Sequence, residues 1–181
     1  MNEELSPNHH VLWKGVVSGL AAGLAGTAAM TLFQTGWSKA QKELSHKEST
    51  KETENSKQKS SQDEPSTIKV ANAISEASLH RALRPNEKEP ASYAVHFAFG
   101  TLMGGIYGVS SEYLKAARFG HGLLHGLGLW AGADAAVLPA MHLSQPVTER
   151  SGGELAYEVL AHAVYGVSSE SVRRLVRAAL D

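Results

Sequence analysis

The chain has 181 residues, with 17 Lys+Arg, 18 Asp+Glu and no Cys. That length suits one domain or one modest helical bundle. A net charge of −1 gives no electrostatic case for nucleic acid, and the absence of Cys excludes disulfides, thiol nucleophiles, thiolate zinc sites and cysteine-bound iron–sulfur clusters.

The charges are unevenly placed. Residues 38–92 hold 10 Lys/Arg and 9 Asp/Glu, more than half of the total, and none of the 17 glycines. Residues 1–12 read as a polar tail. Lys14 and Lys39 then enclose 24 uncharged residues, and a first transmembrane helix is predicted over 13–37, because a hydrocarbon core of about 30 Å needs roughly 20 apolar helical residues. A cleaved signal peptide fits this segment less well. Glu3 and Glu4 precede it, Lys14 is its one basic residue, and the apolar run exceeds the usual length of a signal.

Residues 38–64 are rich in Lys, Glu and Ser and have almost no large apolar side chain. They cannot bury enough surface to offset ordering entropy, so a charged, disordered loop is predicted. Apolar residues return at Ile68, Val70, Ile74, Leu79 and Leu83, predicting a surface helix over 65–85 that stops at Pro85. Asn86 with Glu89 can cap a second transmembrane helix over 87–114, with Pro90 in its first turn. A third is predicted over 119–142, a stretch whose one charge is Asp134, with Pro139 bending its end. The fourth, 153–176, carries Glu158 and His162 and rests on a repeat. Tyr107-Gly-Val-Ser-Ser-Glu112 recurs as Tyr165-Gly-Val-Ser-Ser-Glu170, and LAGTAAMTL at 24–32 echoes WAGADAAVLP at 130–139.

The fold class is therefore all-α: a multi-pass membrane protein of four transmembrane helices, arranged as two tandem hairpins related by an axis along the membrane normal. A soluble bundle is the weaker reading, because each helical glycine costs about 1 kcal/mol relative to alanine in water. In lipid, glycines let helix backbones approach. Gly15, Gly19 and Gly23, then Gly100, Gly104 and Gly108, then Gly128, Gly132 and Ala136 are spaced i, i+4, i+8 and are predicted helix-packing faces. Arg173, Arg174, Arg177, Lys115 and Arg118 in short flanking segments place both termini in the cytoplasm.

Ionisable groups inside lipid usually face a partner or a watery cavity. At 1.5 Å per residue, His96, Asp134 and Glu158 fall about 6–8 Å to one side of the midplane, with His162 near the midplane itself. Thr27, Thr31 and Gln34 of the first helix reach the same level. A shared polar layer of His96, Asp134, Glu158 and His162 is predicted, with Glu158 and His162 close enough at i, i+4 to pair. It can act as a proton or cation site, or as hydrogen-bonding glue between helices. His121 and His125 form H-x-x-x-H and are the candidate metal ligands. Asp134 lies on the far side of an ideal helix from His125 and cannot complete that set. There is no phosphate-binding glycine loop and no nucleophile elbow. The sequence therefore points to no enzyme, no catalytic residues and no cofactor.

Several motifs together resemble a known family. They are His96-Phe-Ala-Phe-Gly100 with Tyr107-Gly108, then Trp130, Asp134, Pro139 and Leu143-Ser144, then His162-x-x-Tyr165-Gly166 closing on Arg173-Arg174. The chain resembles the YagU-like small bacterial inner-membrane proteins, a domain of unknown function, best over 65–177. The resemblance implies a multi-pass protein of the bacterial inner membrane and brings out His96, Asp134 and His162. It implies no reaction. The family's acidic position is more often Glu, and His121, His125 and His142 lie outside its pattern. The expected partners are the lipid bilayer and, through the glycine faces, a second copy of the chain or another membrane protein. Three functions follow in order: a pH-responsive or proton-handling layer, a structural scaffold for another membrane protein, and metal binding or transport.

Overall fold

A computed structural model of the chain describes residues 9–48 and 64–181. No strand occurs among the described residues. The helices are α1 (His9–Glu48), α2 (Ser66–Leu79), α3 (Pro85–Tyr113), α4 (Leu123–Leu129), a π-helical segment (Trp130–Val137), α5 (Leu138–Ala140) and α6 (Gly152–Ala179). α4, the π segment and α5 run on as one helix, Leu123–Ala140.

Several boundaries depart from the sequence expectation. Residues 9–12 and 38–48 belong to α1 rather than to a tail and a loop. Lys39, Ala40, Gln41, Lys42, Glu43 and Leu44 are strong helix formers, so the helix continues beyond the apolar run without needing burial. The remainder of the predicted tail, 1–8, and residues 49–63 of the predicted loop lie outside the described residues. α3 starts at Pro85, not after Asn86. Proline suits the first helical position because it has no N–H to leave unsatisfied, and the Arg84 N–H donates to Glu87 Oε2 at 2.9 Å. The helix expected from 119 begins only at Leu123, because Gly120, His121 and Gly122 all have positive φ (63°, 54° and 82°). α6 carries a reciprocal cap. The Glu154 N–H donates to Ser151 Oγ, and the Ser151 N–H donates to the Glu154 carboxylate.

α1 and α3 pack antiparallel through glycine backbones. A Cβ on Gly19 would lie 2.8 Å from Gly108 Cα, and one on Gly23 would lie 2.9 Å from Gly104 Cα. Gly15 faces Gly108 and Glu112, and Gly100 meets Thr27. α4 meets α6 in the same way, with Gly122 against Gly166 and Glu170, and Gly126 against His162 and Gly166. Partner residues in α3 and α6 differ by the offset that separates the two Tyr-Gly-Val-Ser-Ser-Glu copies, so the α1–α3 and α4–α6 pairs are structurally equivalent. Gly128 and Gly132 do not take the packing role expected of them: a Cβ on either meets nothing within 4 Å. Gly128 is about 200° round the helix from Gly126, so it faces away from α6.

α1 also packs along α6. Met30, Ala161 and Tyr165 form a small core there, with Phe33 and Leu129 against it. Phe33 stacks on Tyr157 at one end of that interface, with Trp37 tilted against both. α2 folds back on the start of α3, joined by the Thr67 and Ser92 hydroxyls at 2.6 Å and by the Leu83 N–H donating to Asn72 Oδ1.

Polar side chains share the interior with the small apolar core, and many large apolar side chains lie outside. The interior holds Ser18, Thr27, Ser111, His162, Ser169, Glu170 and Arg173, while Leu24, Leu32, Leu102, Ile106, Leu124 and Val137 lie on the outside. Two helices, Val11–Leu44 and Leu123–Ala140, are long and apolar enough to cross a membrane. α3 and α6 fall short of that measure.

Candidate functional site

The π segment and α6 meet at a polar pair. His162 Nε2 lies 2.9 Å from Asp134 Oδ2, and His162 Nδ1 lies 2.9 Å from the Glu158 backbone carbonyl. The His162 side chain is 10% exposed. A carbonyl oxygen can only accept, so Nδ1 carries a proton. The 2.9 Å contact of Nε2 with Oδ2 is a hydrogen bond between the π segment and α6.

Asp134 sits mid-way along the π segment, whose wider turn leaves main-chain groups for outside partners. Arg150 supplies one: its Nη2 donates to the Asp134 carbonyl at 2.8 Å. The same guanidinium donates to the Ser144 hydroxyl and the Gln145 carbonyl, and Nη1 reaches Glu158 Oε2 at 2.6 Å. The Trp130 indole N–H donates to the same Glu158 oxygen at 3.2 Å. Arg150 thus ties the 141–151 connection to both helices of the pair.

Of the four layer residues, Asp134 and His162 are brought into direct contact. Glu158 is not paired with His162 through its carboxylate as expected; it offers His162 its backbone carbonyl and turns its carboxylate to Arg150. The reason is that a buried guanidinium pairs more strongly with a carboxylate than an imidazole does. His96 lies within electrostatic reach of His162 and Asp134, but its buried Nε2 has no hydrogen-bond partner. Thr27 and Thr31 stay out of the layer, because each hydroxyl donates to a carbonyl one turn back in α1.

The expected metal pair does not form on one helical face. His121 precedes α4 at φ 54°, and its Nε2 lies 3.0 Å from Ser171 Oγ. His125 is inside the bundle, stacked on Tyr107 at 4.2 Å and tilted against Tyr165 at 5.7 Å. The left-handed turn at 120–122 places His121 outside α4, so the two histidines do not share one face of a helix.

A second polar cluster is absent from the sequence reading. The Tyr107 hydroxyl donates to Glu170 Oε2 at 2.8 Å, and Arg173 and Arg174 each donate to Glu170 at 2.6 Å through Nε. Arg177 donates to Glu112 at 2.9 Å. The first repeat's tyrosine thus meets the second repeat's glutamate. The pointer in the sequence is Glu170 followed by arginines at i+3 and i+4.

Residues 64–171 match the family described as "Protein of unknown function (DUF1440)". No curated protein and no solved structure matches the chain. The matched region contains His96, Asp134, Arg150, Glu158 and His162, starts after α1, and spans more than half of the residues; the chain therefore belongs to this family of unknown function.

Proposed function

We propose that the chain is a multi-pass membrane protein of four spans in two hairpins, in which the His162–Asp134 pair takes up and releases protons and couples pH to helix packing. The observation that carries this is the 2.9 Å contact between His162 Nε2 and Asp134 Oδ2, set between helices. The apolar exterior over a polar-rich interior supports the membrane setting, as do the two helices long and apolar enough to span. In a low dielectric, adding or removing one proton at the pair changes its net charge, so it changes the contacts between the π segment and α6. Lys14, Arg118, Arg173, Arg174 and Arg177 lie at the end of the bundle that carries the C-terminus of α6. They favour placing that end, with both termini, in the cytoplasm of a bacterium. The resemblance to YagU-like inner-membrane proteins points the same way. No covalent chemistry is assigned to the chain.

The test is a pH titration of thermal unfolding and of the His162 ring resonances in detergent. The wild type is expected to show a transition that Asp134→Asn with His162→Gln abolishes. An unchanged pH response in that double variant sinks the proposal.

A second reading rests on Gly128 and Gly132, which face outward with nothing against them: a scaffold that binds a second copy or another membrane protein there. A partner that co-purifies with the wild type and is lost on Gly132→Leu, with Asp134 and His162 dispensable, favours it.

A further inference from the structure

We propose that the cleft between α1 and the first turn of α6 binds an organic ammonium group, of the kind carried by choline or by an ethanolamine headgroup. This goes beyond the proton-handling reading above and does not depend on it.

The cleft has a volume of about 370 Å³ and is lined by Trp37, Ser38 and Gln41 from α1 and by Ser151, Glu154 and Tyr157 from the start of α6. That size is within the range of small-molecule sites. Among the described residues that line it, none has an aliphatic side chain. It lies at the N-terminal end of α6, away from Arg173, Arg174 and Arg177. The space is open because α6 starts with Gly152 and Gly153, where a Cβ would meet nothing within 4 Å.

Two features set the charge of the ligand. The first is an aromatic wall. The Trp37 and Tyr157 rings are 5.8 Å apart and tilted by 39°, and Phe33 packs against both. Ring faces carry negative potential and attract cations, indole most strongly. The second is Glu154, the one charged side chain in the lining. The cap of α6 fixes its carboxylate, because the Ser151 N–H donates to Glu154 Oε2 at 2.7 Å. The same cap disfavours an anion, since it sets a negative charge at the turn whose N–H groups would otherwise attract one.

The cations nearest in sequence are directed elsewhere or lie outside the lining. The Arg150 guanidinium is turned to Glu158, the Asp134 carbonyl, Ser144 and Gln145. Lys39 and Lys42 are exposed on α1 and do not line the cleft. A compact divalent cation needs six or more oxygen ligands, and no group of three or more His, Asp or Glu among the described residues is placed to hold a metal. A bulky, weakly hydrated ammonium needs an aromatic surface, a nearby negative charge and room, and the cleft supplies all three.

The experiment uses the full chain in nanodiscs of phosphatidylglycerol. Choline is the probe, and dimethylbutanol, its neutral isostere, is the control. Calorimetry and the Trp37 indole N–H resonance report binding. Saturable binding of choline, about tenfold or more tighter than that of the alcohol, is expected. Glu154→Gln keeps the cap, because a glutamine amide oxygen accepts at the same position. It should weaken choline about tenfold and leave the alcohol unchanged. Trp37→Leu keeps apolar bulk without the ring and should act in the same direction, with circular dichroism confirming that both variants are folded. Equal affinity for the two probes, no saturable binding to the wild type, or choline affinity unchanged in both variants overturns the proposal. Nanodiscs of phosphatidylethanolamine separate the two sources of the ammonium group. Weaker choline binding there identifies the lipid headgroup as the occupant, and equal binding identifies a soluble amine.

Discussion

Gly104→Ala tests the packing most directly. A Cβ on Gly104 would lie 2.5 Å from Gly23 N and 2.6 Å from Gly19 O, about an ångström inside ordinary van der Waals separation. Both obstacles are backbone, and a methyl group has no rotamer by which to avoid them. α1 and α3 must therefore part. Gly19, Gly23 and Gly108 lie along the same line of contact, so one added methyl loosens the whole face. Overpacking of a tight interior costs about 1–3 kcal/mol, and the rigid neighbours place this variant at about 3 kcal/mol. Gly128→Ala makes the same chemical change on α4, where nothing lies within 4 Å. There only the helix preference acts, favouring alanine by up to about 1 kcal/mol. The two variants should therefore differ by about 4 kcal/mol with opposite signs. Reversible unfolding in mixed micelles, followed by circular dichroism, gives both values. Equal stabilities, or a more stable Gly104→Ala, would refute the glycine-on-glycine contact.

Arg150→Gln leaves Glu158 without its cation and the Asp134 carbonyl without its donor. It should destabilise the protein by about 3 kcal/mol and speed hydrogen exchange through 141–151. Tyr107→Phe removes one of the donors to the fully buried Glu170 and should cost about 1.5–3 kcal/mol in the same unfolding assay. On α3, the Arg81 guanidinium and the Arg84 N–H hold the Glu87 carboxyl down at about 2. Its folded value is below its unfolded value, so its contribution is present above the ordinary carboxylate range near 4.5 and is lost as the pH falls through about 2. Amide exchange in α2 and the start of α3 should quicken over that interval, and Glu87→Gln should remove the acid dependence.

The all-helical fold and the α1–α3 glycine faces were legible in the sequence because both follow from spacing. Depth along a helix is simple arithmetic and put Asp134, Glu158 and His162 near one another, but it named Glu158 as the partner of His162, because depth does not say which of two carboxylates turns to the imidazole. The face of the 123–140 helix that meets α6 was not legible. Its glycines fall in two sets, 122/126 and 128/132, and spacing alone ranks them equally. Periodicity also could not show the left-handed turn at 120–122 or the π segment. Glycine permits the turn without requiring it, and the π segment adds a residue whose partner, Arg150, comes from a connection with no periodic pattern. Arg150 stands in the connection between the third and fourth predicted helices. Nothing local in the sequence says that its guanidinium folds in between two helices.

The equivalence of the two hairpins has a mechanical consequence. In the first, glycine meets glycine along the contact and leaves no slack, so it behaves as a fixed post. In the second, the glycine contact at Gly122 and Gly126 gives way to a wider coil, on which Gly132 bears on nothing and Asp134 is moored by Arg150 and His162, with Trp130 bonded to Glu158. The same building unit is thus used once as an anchor and once as a lever. On the proposed pH-responsive reading, a change in the moorings is expected to shift the lever against the anchor and to leave the anchor's own seam as it is.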